Sequence, residues 1–167
     1  MTYSSERLEK LVKECIELDG EIEEKLEDPS IDFGFLVYFP KGSKQPPFTI
    51  TKLKNKPILA IRCMVILPEK INEIDPLIKL NYFTELKLAY LLKGNHFMID
   101  ENKNQIDLRE RIYLDRNYEF SIESFNEHFW RIRFCFAYIS ILGEKFNLHS
   151  LLQEEIEEDK SFDDHYA

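Results

Sequence analysis

Glycine is scarce, with only five in 167 residues. Loops that cradle phosphate need several glycines at set spacing, and neither Gly-x-Gly-x-x-Gly nor a Walker A loop occurs. The basic glycine segments Lys41-Gly-Ser-Lys44 and Lys93-Gly-Asn-His96 read as a turn and a helix cap. His-Glu-x-x-His, Gly-x-Ser-x-Gly and Cys-x-x-Cys are also missing, so no catalytic signature stands out. The cysteines Cys15, Cys63 and Cys135 are odd in number, far apart and set among apolar neighbours. They read as small buried thiols of a reducing, cytoplasmic compartment rather than as disulfide or metal pairs.

Positive charge is in short supply too. Twenty-two lysines and arginines face 31 aspartates and glutamates, for a net charge of −9. Nucleic-acid binders draw affinity from phosphate neutralisation, so no nucleic-acid partner is expected. An anionic membrane would repel the chain, and its longest apolar stretches, Ile58–Leu67 and Phe134–Leu142, fall short of a span. No membrane partner is expected. The histidines His96, His128, His149 and His165 contain no pair at i,i+3 or i,i+4, so neither a metal nor a cofactor is expected. Asp100-Glu-Asn-Lys-Asn104 has the oxygen spacing of half a calcium loop, but Gln105 and Arg111 stand where glycine and glutamate belong. A hairpin turn is the simpler reading. His128 has Glu123 and Glu127 in reach on a solvated helix face.

What is present is a core. Hydrophobic residues make up 44% of the chain, enough for one folded domain over 1–150, followed by an acidic tail over 151–167, partly helical or frayed. Leu8, Leu11, Val12, Cys15 and Ile16, with Leu18 at the margin, follow one helix face, capped by Ser4 or Ser5 and stopped at Asp19-Gly20. Glu21–Glu27 fits helix or strand, and Gly20 favours a short edge strand. Phe33–Phe39, Phe48–Lys54 and Ile58–Leu67 predict a three-stranded meander. A short turn over Glu69–Ile74 precedes a helix opened by Asp75-Pro76, with Leu77, Leu80, Phe83, Leu86, Tyr90 and Leu91 apolar around most of its girth. A hairpin, His96–Asp100 with Ile106–Leu114, leads to a last helix capped by Ser121. That helix carries the stripe Ile122, Phe125, Phe129, Ile132, Phe136 and Ile139, and Gly143 should end or loosen it. Leu148–Ile156 has the pattern of one more short helix.

The fold class is therefore α+β: an antiparallel sheet of five to six strands with helices on one face, in the order helix, three or four strands, helix, two strands, helix. Two features exceed what a monomer needs. Strand Ile58–Leu67 is apolar on its second face as well, through Met64 and Ile66, and the last helix carries Trp130, Phe134 and Tyr138 off its stripe. These five residues are the candidate interface. Arg62 and Glu110, each charged within an apolar run, are a candidate structural pair across the sheet.

This element order, with the segments Asp32-Phe-Gly-Phe-Leu-Val-Tyr-Phe-Pro40, Ile61–Lys70 and Glu119-Phe-Ser-Ile-Glu-Ser-Phe125, resembles the type III secretion chaperones and the related YbjN-like domains, and an uncharacterised, largely archaeal family of that fold. The resemblance spans about residues 4–143. It implies small, acidic, often dimeric proteins that bind other proteins and catalyse nothing. The expectation is a non-enzymatic protein-binding or chaperone-like adaptor, a homodimer or the partner of another protein. The competing expectation is a small hydrolase or ligand-binding enzyme using Glu110, His96 and Arg62, which would require those three side chains to converge in one deep pocket.

Overall fold

The computed structural model describes residues 4–42, 47–67, 69–93, 96–114 and 120–148. The acidic tail and most of the expected short helix after Leu148 lie outside the described residues.

Helix α1, Ser5–Asp19, begins where the Ser4 side chain accepts the Arg7 amide and ends where the Gly20 amide donates to the Ile16 carbonyl. Strand β1, Glu21–Lys25, is the expected edge strand. Strands β2 (Ile31–Tyr38), β3 (Phe48–Leu53) and β4 (Ile58–Ile66) form the meander. A 3-10 turn over Glu69–Asn72 leads to helix α2, Pro76–Lys93, whose first turn is capped by Asp75 through the Leu77 amide. Strands β5 (His96–Asp100) and β6 (Gln105–Tyr113) form the hairpin, and helix α3 runs Ile122–Lys145 from its Ser121 cap. The six strands pair antiparallel in the order β1-β2-β3-β4-β6-β5.

Alternation sets the two faces of this sheet. In β4, Leu59, Ile61, Cys63 and Val65 are buried, and they pair in register with Ile112, Glu110, Leu108 and Ile106 of β6. With Phe33, Phe35, Val37, Phe48 and Ile50 they make the face that receives the helices. Helix α1 adds Leu8, Val12 and Ile16, α2 adds Tyr82, Phe83 and Leu86, and α3 adds Phe125, Phe129, Ile132, Ile139 and Leu142. An aromatic cluster locks α3 down: the Phe129 ring lies 4.1 Å from Phe39 and 5.4 Å from Phe48, and stacks on Phe125 at 6.1 Å. Gly20 makes room for it, since a Cβ there would sit 2.4 Å from the Phe39 ring. Burial pushes the Cys15 thiol up, and it pushes that of Cys63 up to about 12, with the Asp107 charge adding to it.

Some boundaries and faces depart from expectation. Helix α3 runs through Gly143, because the glycine is buried and Leu142 and Leu148 on either side pack into the core. Ile122 is half exposed, since the first turn of α3 projects beyond the core it serves. In α2 the buried stripe is Tyr82, Phe83 and Leu86, which leaves Leu77 and Leu80 outward; the side chains of Tyr90 and Leu91 lie outside the described residues. At Asp100–Asn104 the Asp100 carboxylate accepts the amides of Asn102 and Lys103, the bonding of a hairpin turn.

Candidate interaction surfaces

The charged positions within the sheet follow from its alternation. Glu110 shares the helix-covered face with Ile61, whereas Arg62 lies on the open face opposite Arg109. The expected Arg62–Glu110 pair therefore does not form. Cross-strand neighbours share a face, and aligning the apolar residues of β4 and β6 puts these two charges on opposite sides. Arg62 instead binds Asp107, through Nε at 2.8 Å and Nη2 at 2.9 Å. Asp107 also accepts from Arg109, so one carboxylate holds two guanidinium groups. Burial raises the Asp107 carboxyl, but the hydrogen bonds from Arg62 and Arg109, with their charges, outweigh it and hold the group below its usual value.

Glu110, at 6% exposure, meets the need of a buried carboxylate with a different partner. Its Oε2 lies 2.9 Å from His128 Nδ1 and 3.9 Å from Arg131, both on α3. His128 thus turns toward the sheet rather than to Glu123 or Glu127 on its own helix. The Lys52 ammonium, also buried, donates to the carbonyls of Leu53 and Lys56 and to Asp32, which ties the β3–β4 turn to the sheet end. His96 pairs in register with Arg109, and its side chain lies outside the described residues. Glu110 and Arg62 thus lie on opposite faces of the sheet.

Two apolar surfaces face outward. On α3, Trp130 is 58% and Phe134 62% exposed, Ile141 continues the line, and Tyr138 is half-buried beside it. The Arg133 guanidinium lies 4.5 Å over the Trp130 ring. On α2, Leu77, Leu80 and Leu88 are exposed at helical spacing. The helix is apolar around most of its girth in sequence, and the signal that tells inner from outer is the adjacent pair Tyr82-Phe83, whose bulk claims the inner face.

The open face of the sheet is mixed rather than apolar. Ile66 is exposed and Met64 half-buried, with the Gln105 amide near the Met64 sulfur, and Met98 and Tyr113 are exposed farther along the same face. Between them the face sinks into a trough of about 620 Å³. Its floor includes Thr49, Thr51 and Ala60, one wall is Arg62, Arg109 and Arg111, and the other is Glu24 of β1 with Leu26, Glu27 and Asp28 of the β1–β2 connection. Gly34 allows that connection to fold over the sheet: a Cβ there would lie 3.1 Å from Leu26 Cβ and 2.9 Å from Ile31 Cδ1. Among the described residues no three histidine, cysteine, aspartate or glutamate side chains gather as a metal site, and no helix is long and apolar enough to cross a membrane.

Neither a family model nor a curated protein matches the chain. Two solved structures share its fold. An uncharacterized protein from Methanothermobacter thermautotrophicus superposes with a TM-score of 0.67 at 15% identity, over 83% of this chain and 98% of that one. A chain of the ExsC–ExsE complex superposes with a TM-score of 0.51 at 16% identity, over 85% of this chain and 97% of that one. The fold is α+β, with a six-stranded antiparallel sheet and three helices, of the type III secretion chaperone-like class.

Proposed function

We propose that this chain is a non-enzymatic, cytoplasmic protein-binding or adaptor module that works as a homodimer. The observation that carries the reading is the outward stripe of α3, where Trp130, Phe134 and Ile141 stand exposed on a helix whose other face buries Phe125, Phe129, Ile132, Ile139 and Leu142. Trp with Arg133 above its ring is a pairing common at the centre of protein interfaces. The ExsC–ExsE neighbour is itself a complex of two proteins, which supports the same reading by analogy of fold. Each large side chain buried at an interface contributes about 1.5–3 kcal/mol before ordering costs, and a two-fold interface uses every patch twice. Repulsion between two acidic copies is screened over about 8 Å at physiological salt.

The enzyme alternative requires Glu110, His96 and Arg62 to act together, and the opposed faces of Glu110 and Arg62 weigh against it. Sedimentation equilibrium tests the dimer. The wild-type chain should sediment as twice its mass, and Phe134→Glu should sediment as one chain with an unchanged circular dichroism spectrum. A wild-type monomer at high concentration would refute the homodimer.

A further inference from the structure

The open-face trough is the feature that the apolar α3 stripe does not explain. Three guanidinium groups, from Arg62, Arg109 and Arg111, line one wall of it, two of them held by Asp107, and the carboxylates of Glu24, Glu27 and Asp28 line the other. Positive charge is thus concentrated on one wall, in a chain of net charge −9. Arg111 is exposed and has no ion pair among the described residues. Arg62 and Arg109 are held in place by Asp107, yet their side chains remain 43% and 37% exposed.

We propose that this trough seats an extended acidic segment of a protein partner, with its carboxylates on Arg62, Arg109 and Arg111. The inference rests on the reading of the chain as a protein-binding module and names the chemistry of its partner. Arg109 and Arg111 are two residues apart on one strand face, so their spacing of about 7 Å equals the side-chain repeat of an extended peptide. A peptide acidic at every second position thus meets both along one edge. Arg62 lies across the strand pair from Arg109 and widens the contact sideways. Guanidinium groups take carboxylates in two parallel hydrogen bonds, and the fixing of two of them by Asp107 lowers the ordering cost of binding. The side chains between the walls, Thr49, Thr51 and Ala60, are small. The opposite wall, with Glu24, Glu27 and Asp28, repels carboxylates and fixes which edge of the peptide faces the arginines. Nucleic acid fits less well, because a phosphate on every nucleotide would meet the acidic remainder of the chain beyond the trough.

The test uses the full chain and a fluorescein-labelled peptide of about twelve residues that alternates glutamate with threonine. Anisotropy should show saturable binding that weakens as sodium chloride rises from about 0.02 to 0.2 M. Arg111→Glu, at an exposed position, should weaken it by about tenfold or more. A peptide with lysine for glutamate should not bind. Lack of binding by the glutamate peptide, equal binding to Arg111→Glu, or tighter Arg111-dependent binding of an oligothymidine of equal length would each overturn the proposal. Phe134→Glu separates this inference from the reading it rests on. Peptide binding lost through Phe134→Glu and untouched by Arg111→Glu would sink the acidic segment and leave the α3 surface standing. Peptide binding that responds to Arg111 but not to Phe134 supports the trough whether or not the chain dimerises.

Discussion

The two faces of the β4–β6 strand pair carry residues from the same two segments, one position apart, yet they do opposite things. On the covered face Leu59, Ile61, Cys63 and Val65 meet Ile106, Leu108 and Ile112, and the one charge, Glu110, is capped by His128 and Arg131 from α3. On the open face Ala60, Arg62 and Met64 meet Asp107, Arg109 and Arg111. The covered face gains by excluding water, so a change of volume there is costly. The open face keeps its charges half in water, where each contact is worth less and the surface stays available to a partner.

The largest effect should come from the covered side. Phe129→Ala removes the ring shared by Phe39, Phe48 and Phe125 and should cost about 3–5 kcal/mol in urea unfolding. A loss under about 1 kcal/mol would mean that the aromatic cluster does not hold α3 to the sheet. Gly20→Ala tests the same cluster from its edge. The new Cβ meets the Phe39 ring, which is pinned between Phe48 and Phe129, and overpacking of this kind costs about 1–3 kcal/mol.

An intermediate and pH-dependent effect belongs to the open face. Asp107→Asn leaves Arg62 and Arg109 without their carboxylate and should cost about 1–3 kcal/mol at neutral pH. The Asp107 pKa is lower in the folded chain than the usual value of about 3.9. Its ionised form therefore stabilises the fold above the unfolded pKa, and that contribution is lost as pH falls through the folded one. The gap between wild type and Asp107→Asn should be full near pH 7 and should close in acid, below pH 4. A gap that stays constant down to that range would show that the carboxylate charge is not what holds the two arginines.

Much of this contrast was legible in the sequence. Period and propensity place β4, the hairpin and the three helices, and Ser4, Asp75 and Ser121 announce the starts of the helices. Glu110 reads as a core-facing carboxylate from its register with Ile106, Leu108 and Ile112. Its partner does not, because His128 reaches it from a helix 18 residues on. Arg62 and Glu110 suggest a pair because both interrupt apolar runs, while the alternation in Gln105–Tyr113 already sets Asp107, Arg109 and Arg111 together on the other face. The trough was beyond reach. It depends on the β1–β2 connection folding over Gly34, a tertiary contact that no local pattern encodes.

The smallest effect on stability should come from the outward side of α3, where Trp130, Phe134 and Ile141 are exposed. Phe129 and Phe134 are five residues apart on one helix, but the first is 5% and the second 62% exposed. Phe134→Glu should therefore change the unfolding free energy by no more than about 0.5 kcal/mol in the monomer. Phe129→Glu buries a carboxylate against three phenylalanine rings and should unfold the chain. The same opposition holds across β4, where Ile61→Glu should unfold the chain and Met64→Glu should be tolerated, because Met64 already borders the half-wet open face. Urea titrations at a concentration low enough to dissociate any dimer make the measurement, since association would otherwise add to the apparent stability. If Phe134→Glu and Phe129→Glu unfold the chain alike, the outer stripe of α3 is core after all, and the binding surface assigned to it disappears.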